Sequence, residues 1–152
     1  MGLHYGESDF DINRAILLLT LVIVLLLLVF SIRSRISSKH HLIKEVRRNF
    51  ALLDPSYSNI PIRTGTSAYT ENKEVITLCI INPETGKEYD INTIMYVALH
   101  ELAHVITPDG KEEHGEDFKL NFSLLLNKAA RLGIYDPSKP IPSSYCHTNT
   151  GM

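Results

Sequence analysis

The eighteen consecutive residues Ala15 to Ile32 read AILLLTLVIVLLLLVFSI, with no charge, proline or glycine. As a helix the run is roughly 27 Å long, close to the hydrocarbon thickness of a bilayer. A core helix of a globular protein would carry a polar face. This run has none, so it predicts a transmembrane helix. A cleaved signal peptide fits less well, because no basic region precedes the run and no small-x-small cleavage site follows it. Instead Ser31-Ile-Arg-Ser-Arg-Ile leads straight into a basic stretch.

The flanks predict an orientation. Ahead of the run, Arg14 stands among Glu7, Asp9 and Asp11. Behind it come Arg33, Arg35, Lys39, Lys44, Arg47 and Arg48. Lys/Arg excess stays on the cytoplasmic side, so the expectation is N-terminus out and C-terminal domain in, in a cell or virion membrane. The same basic stretch suits anionic lipid headgroups.

With that run set aside, the 152 residues leave one modest domain. From Pro55 onward there are eight Lys/Arg against twelve Asp/Glu. A domain this acidic lacks the phosphate-neutralising footprint of a nucleic-acid binder, so no nucleic-acid partner is expected. Cys79 and Cys146 are far apart and form no CxxC. They read as unpaired thiols in a reducing compartment, with Cys79 a small core residue.

In His41 to Leu53, the apolar positions Leu42, Val46, Phe50 and Leu53 mark one face of a helix, which Asp54-Pro55 ends. Ile60 to Tyr69 and Glu74 to Ile81 are rich in β-branched residues and predict two strands joined around Asn72-Lys73. After the turn Asn82-Pro-Glu-Thr-Gly, Asp90 or Asn92 caps a helix reaching about Ile106. A last helix runs from about Gly115 to about Leu132, with Phe118, Phe122, Leu125, Ala129 and Leu132 on one face and Gly133 at its stop. The fold class is therefore α+β. The expected layout is a leader over 1–14, the membrane helix over 15–32, a basic juxtamembrane segment and amphipathic helix over 33–54, a domain over 55–135, and an extended Pro-containing tail over 136–152.

The chemistry resides in His100-Glu101-Leu102-Ala103-His104. On a helix, His at i and i+4 project from one face and can share a Zn²⁺. Glu101, next to the first His, reaches a water on the metal rather than the metal. A carboxylate there serves as general base while zinc acidifies the water. A catalytic zinc takes three protein ligands and keeps one position open. The spacing H-x-x-G-x-x-H fails, since Thr107 and Gly110 stand where that pattern needs Gly and His. A Glu from the following helix fails too, because Lys119 to Tyr135 contains no acid. His114, after the Pro108-Asp-Gly turn, is the preferred third ligand, with Glu112, Glu113 and Glu116 as alternatives.

HELAH followed by His114-Gly-Glu-Asp-Phe resembles the SprT/Spartan and WLM group of zincin proteases, in which the His of an HGxxF-like element is the third ligand. The likeness covers about Ile60 to Ile134. It extends to small WLM-like proteins of large DNA viruses, with a Tyr-Cys near the C-terminus as in Tyr145-Cys146. The resemblance implies Zn²⁺, a minimal zincin-like fold, and endopeptidase chemistry on a polypeptide substrate. It also implies that Ile76 to Ile81 is an edge strand that holds substrate backbone. The membrane helix and the acidic domain depart from the DNA-repair members, so a DNA–protein crosslink protease is the least favoured variant. A membrane protein whose zinc domain is catalytically silent, for example in a virion, is the main alternative.

Of the remaining residues, His40 and His41 read as solvated and His4 as part of the leader. Tyr145 is a candidate oxyanion donor. Cys146 and His147 are candidates for a tail that caps the metal.

Overall fold

The computed structural model describes residues 7–108, 114–146 and 148–149. The chain divides into two compact units, 1–38 and 39–152. The first helix, α1 (Glu7–Leu53), contributes to both. Within the first unit, Ile12–Ile32 is long and apolar enough to cross a membrane, and all of its side chains are exposed.

The second unit is a mixed α+β domain. Its share of α1 buries Val46, Phe50 and Leu53, with Leu42 partly covered, so the apolar spacing is matched by burial. Asp54 ends α1 and caps a short 3-10 turn over Pro55–Asn59, its carboxylate accepting from the Ser56 amide at 2.9 Å.

Three strands follow: β1 (Ile62–Gly65), β2 (Tyr69–Glu71) and β3 (Val75–Cys79), in the sheet order β1-β3-β2. β2 and β3 form the expected hairpin. Its turn residues Asn72 and Lys73 are a left-handed pair with φ of 50° and 57°, and the Glu74 amide closes the turn on the Glu71 carbonyl at 3.0 Å. Two expectations are corrected here. The segment Ile60 to Tyr69 is not one strand but β1 and β2, on opposite sides of β3. β3 is therefore central and pairs parallel with β1, so it is not an edge. The near-continuous burial of Val-Ile-Thr-Leu-Cys fits a strand covered on both faces. Gly65 permits the crossing, because a Cβ there would lie 2.6 Å from Thr77 Cγ2.

Helix α2 (Ile91–Ile106) starts at Asp90, whose carboxylate accepts from the Thr93 amide at 3.1 Å and from the Thr93 hydroxyl at 2.6 Å. The alternative cap, Asn92, instead clasps Asp136: its amide donates to the Asp136 carbonyl and its carbonyl accepts from the Asp136 amide. Asn92 through Ala103 is almost wholly buried, so α2 is the core helix of the domain.

Helix α3 (Glu116–Arg131) buries Phe118, Leu125 and Ala129, while Phe122 is half-buried. Leu132, expected on the same face, is exposed, because the helix has ended by that point. Gly133, at φ 69°, supplies the left-handed stop, and the Ile134 amide reaches back to the Ala129 carbonyl at 2.9 Å.

The tail is also corrected. Rather than trailing away as an extended segment, it returns to the domain through a two-stranded pair, β4 (Ser144–Tyr145) with β5 (Thr148–Asn149). Tyr145 and Cys146 are buried to 1% exposure. Cys146 is disulfide-bonded to Cys79 at the end of β3, so the expectation of two free thiols fails. Their 67-residue separation hid a pairing that only the returning tail creates.

Candidate metal centre

The C-terminal half of α2 carries His100 and His104 one turn apart, and His114 approaches them from just ahead of α3. The three Nε2 atoms converge, at 3.1 Å for His104–His100, 3.3 Å for His114–His100 and 3.2 Å for His114–His104. Three imidazole nitrogens this close cannot satisfy one another, since a neutral ring has one lone pair and one N–H. A shared cation resolves the arrangement. Tetrahedral zinc with nitrogens at about 2.0–2.1 Å places them about 3.3 Å apart, which these separations match. Among the described residues the three histidines can hold a metal ion, and no fourth donor joins the group. The other third-ligand candidates are placed as follows. Glu116 is exposed, its carboxylate 3.0 Å from Lys119 Nζ, away from the cluster. Glu112 and Glu113 lie outside the described residues.

Burial keeps His100 neutral. His100 is 4% exposed, and its pKa is pushed down to about 3, first by desolvation and then by His104 and His114. Its lone pair is thus available for a cation at any ordinary pH. An aromatic wall fixes the rings: the Phe118 centroid lies 4.8 Å from His100, 4.4 Å from His104 and 4.8 Å from His114. Phe122 adds an edge contact to His100 at 5.3 Å. The sequence showed these phenylalanines as a helix face but not that the face is pressed against the histidines.

Glu101 is 6% exposed. The Thr70 hydroxyl lies 2.8 Å from Glu101 Oε2 and 3.0 Å from the Glu101 carbonyl, so β2 holds the carboxylate. Nothing in the sequence pointed to Thr70, which is 31 residues away. Lys73, from the hairpin turn, donates to the Thr107 carbonyl at 2.6 Å and ties the turn to the end of α2.

Tyr145 and Cys146 are engaged elsewhere in the fold. The Tyr145 hydroxyl donates to the Cys79 carbonyl, and the ring stacks on Tyr89 at 4.6 Å. Its pKa is raised, by burial first and then by Tyr89 and Glu101. A hydroxyl so engaged and so buried is an anchor, not a donor to a developing oxyanion. The Cys146 sulfur is in the disulfide and is no thiolate ligand, and the Cys146 amide donates to the Tyr89 hydroxyl at 3.1 Å. His147 lies outside the described residues.

No protein-family profile matches the chain, and no solved structure does. Three viral proteins are similar to it. An uncharacterized protein of Invertebrate iridescent virus 3 is 40% identical over 90 residues, covering 59% of this chain and 55% of its own. One from Invertebrate iridescent virus 6 is 37% identical over 91 residues, covering 59% and 50%. One from Acanthamoeba polyphaga mimivirus is 39% identical over 92 residues, covering 59% and 46%. The chain thus spans about half the length of the relatives it matches.

Proposed function

We propose that this chain is a zinc-dependent peptidase, anchored to a membrane through Ile12–Ile32. One observation carries the reading: three Nε2 atoms, two from α2 and one from the residue ahead of α3, lie within 3.3 Å of one another, and the residue after His100 is a buried carboxylate. A structural metal site has no need of that carboxylate. Zinc, when bound, would acidify a water and polarise the peptide carbonyl. The chain's own residues do the rest. His100, His104 and His114 are the ligands, and the Phe118 wall keeps their rings in place. Glu101 takes the proton from the attacking water and returns it to the leaving amine, while Thr70 orients the carboxylate. The acidic composition of the domain favours a polypeptide substrate over DNA-bound targets.

Glu101→Gln tests the proposal. The amide keeps the shape and loses the basicity, so metal content should be unchanged while peptide cleavage falls by roughly 10²–10⁴. Equal cleavage by both proteins would sink the reading. A wild-type protein that binds zinc tightly and cleaves nothing would favour a silent, structural zinc domain.

A further inference from the structure

A groove of about 510 Å³ runs along α3, beginning at His114. Its walls are Phe118, Phe122, Leu126, Ala130 and Tyr135, and Ser123 and Asn127 stand exposed at its rim. Phe122 and Tyr135 are both braced by Tyr96 of α2, at centroid distances of 5.4 and 6.0 Å. The groove is thus built on rigid aromatic supports. Its near end is a candidate metal ligand, and Phe118 belongs to both the ring wall and the groove.

We infer that this groove is the specificity pocket of the proposed peptidase and takes a large apolar side chain, aromatic or leucine-like, from the residue flanking the scissile bond. The inference rests on the peptidase reading. A peptide carbonyl held at the histidines has its neighbouring side chain within one residue's reach of His114, where the apolar lining starts. The groove is larger than any one side chain, so a bulky residue enters it freely while Ala or Ser leaves most of the apolar lining uncovered. Each methylene that enters such a lining is worth roughly 10–200-fold in selectivity. Ser123 and Asn127 at the rim can meet the peptide backbone that carries the side chain. Ala130 is the small residue that leaves the far part of the groove open.

The test uses the full-length protein in detergent, loaded with zinc, and a peptide set varied only at the residues flanking one bond. Wild type should cleave the Phe or Leu peptide at least tenfold better in kcat/KM than the Ala peptide. Ser123→Phe, between Phe118 and Leu126 along α3, places a ring over the near part of the groove and should reduce that ratio to below about threefold. Leu126→Ala removes a wall and should lower it as well, which guards against a misfolded first variant. Cleavage without side-chain preference, or with the wild-type preference in both variants, overturns the inference and leaves the peptidase reading standing. If no peptide is cleaved, the peptidase reading fails, and chelating probes then decide the pocket. Phenylalanine hydroxamate should bind zinc-loaded protein at least tenfold tighter than alanine hydroxamate, and Ser123→Phe should abolish the difference. Equal affinity of the two probes for wild type overturns the pocket.

Discussion

The Thr70 hydroxyl lies 2.8 Å from Glu101 Oε2, so a residue of the edge strand β2 sets the position of the carboxylate on α2. Removing that hydroxyl should cost orientation, not the metal. Thr70→Val should lower kcat about tenfold with KM and zinc content unchanged, while Thr70→Ser should stay near wild type. Loss of zinc in Thr70→Val, or an unchanged kcat, would show that the bond does not position the base.

The three imidazoles should hold one metal ion per chain. His100→Ala, His104→Ala and His114→Ala should each lose it, read by metal analysis of the purified proteins. The buried His100, at 4% exposure, should be the most damaging to remove. Full zinc affinity in His114→Ala would mean that the third ligand lies elsewhere, with Glu112 and Glu113 the next to test.

The disulfide closes a 67-residue separation. By loop closure, a ring of that size stabilises the fold by about 4 kcal/mol. Cys79→Ala/Cys146→Ala should therefore unfold at a clearly lower denaturant concentration than the oxidised wild type. A shift below about 1 kcal/mol would show that the reduced tail stays docked through Tyr145 alone.

Asp90 ties its acidity to the start of α2. Burial pushes its pKa up, but the Thr93 hydroxyl and the amides of Thr93, Asn92 and Asp90 outweigh this and hold it below the usual value. A depressed carboxylate stabilises the fold above the unfolded pKa and stops doing so as pH falls through the folded one. Asp90→Ala should cost about 1 kcal/mol at pH 7, and Asp90→Asn much less. The gap between wild type and Asp90→Ala should narrow as pH drops below about 4, toward the gap between Asp90→Asn and Asp90→Ala. A gap unchanged between pH 7 and pH 2 would rule out a contribution from the charge.

The basic flank and the disulfide bear on orientation in opposite ways. Arg33 to Arg48 favours the cytosolic side, where thiols are kept reduced. We expect the protein to resist carbonate extraction and the domain to be digested by protease added to the cytosolic face. Alkylation before lysis should then trap Cys79 and Cys146 as thiols, and alkylation after purification in air should find neither. A bond already closed in intact cells would place the domain on the oxidising side and override the charge rule.

What the sequence reveals follows distance along the chain. His100 and His104 are legible because a helix converts a spacing of four into a shared face. His114 is reachable by elimination, since it follows α2 closely in the sequence. Thr70 is not legible, because a threonine in a strand looks the same whether it faces water or a carboxylate. β1 and β2 merge in the sequence, because one β-branched stretch does not show that Gly65 lets the chain pass beside Thr77. The cysteine pairing escapes for the same reason: it depends on where Asn92 and Tyr145 bring the tail.

The covalent ring from Cys79 to Cys146 contains His100, Glu101, His104 and His114 together. A single cut anywhere inside it, by the protein itself or by another protease, leaves both pieces on one molecule. Such a nicked chain would migrate as intact on a non-reducing gel and separate only after thiol treatment. A cut ahead of Cys79 would free the entire ring from the apolar helix Ile12–Ile32 in one piece, with every candidate metal ligand still aboard.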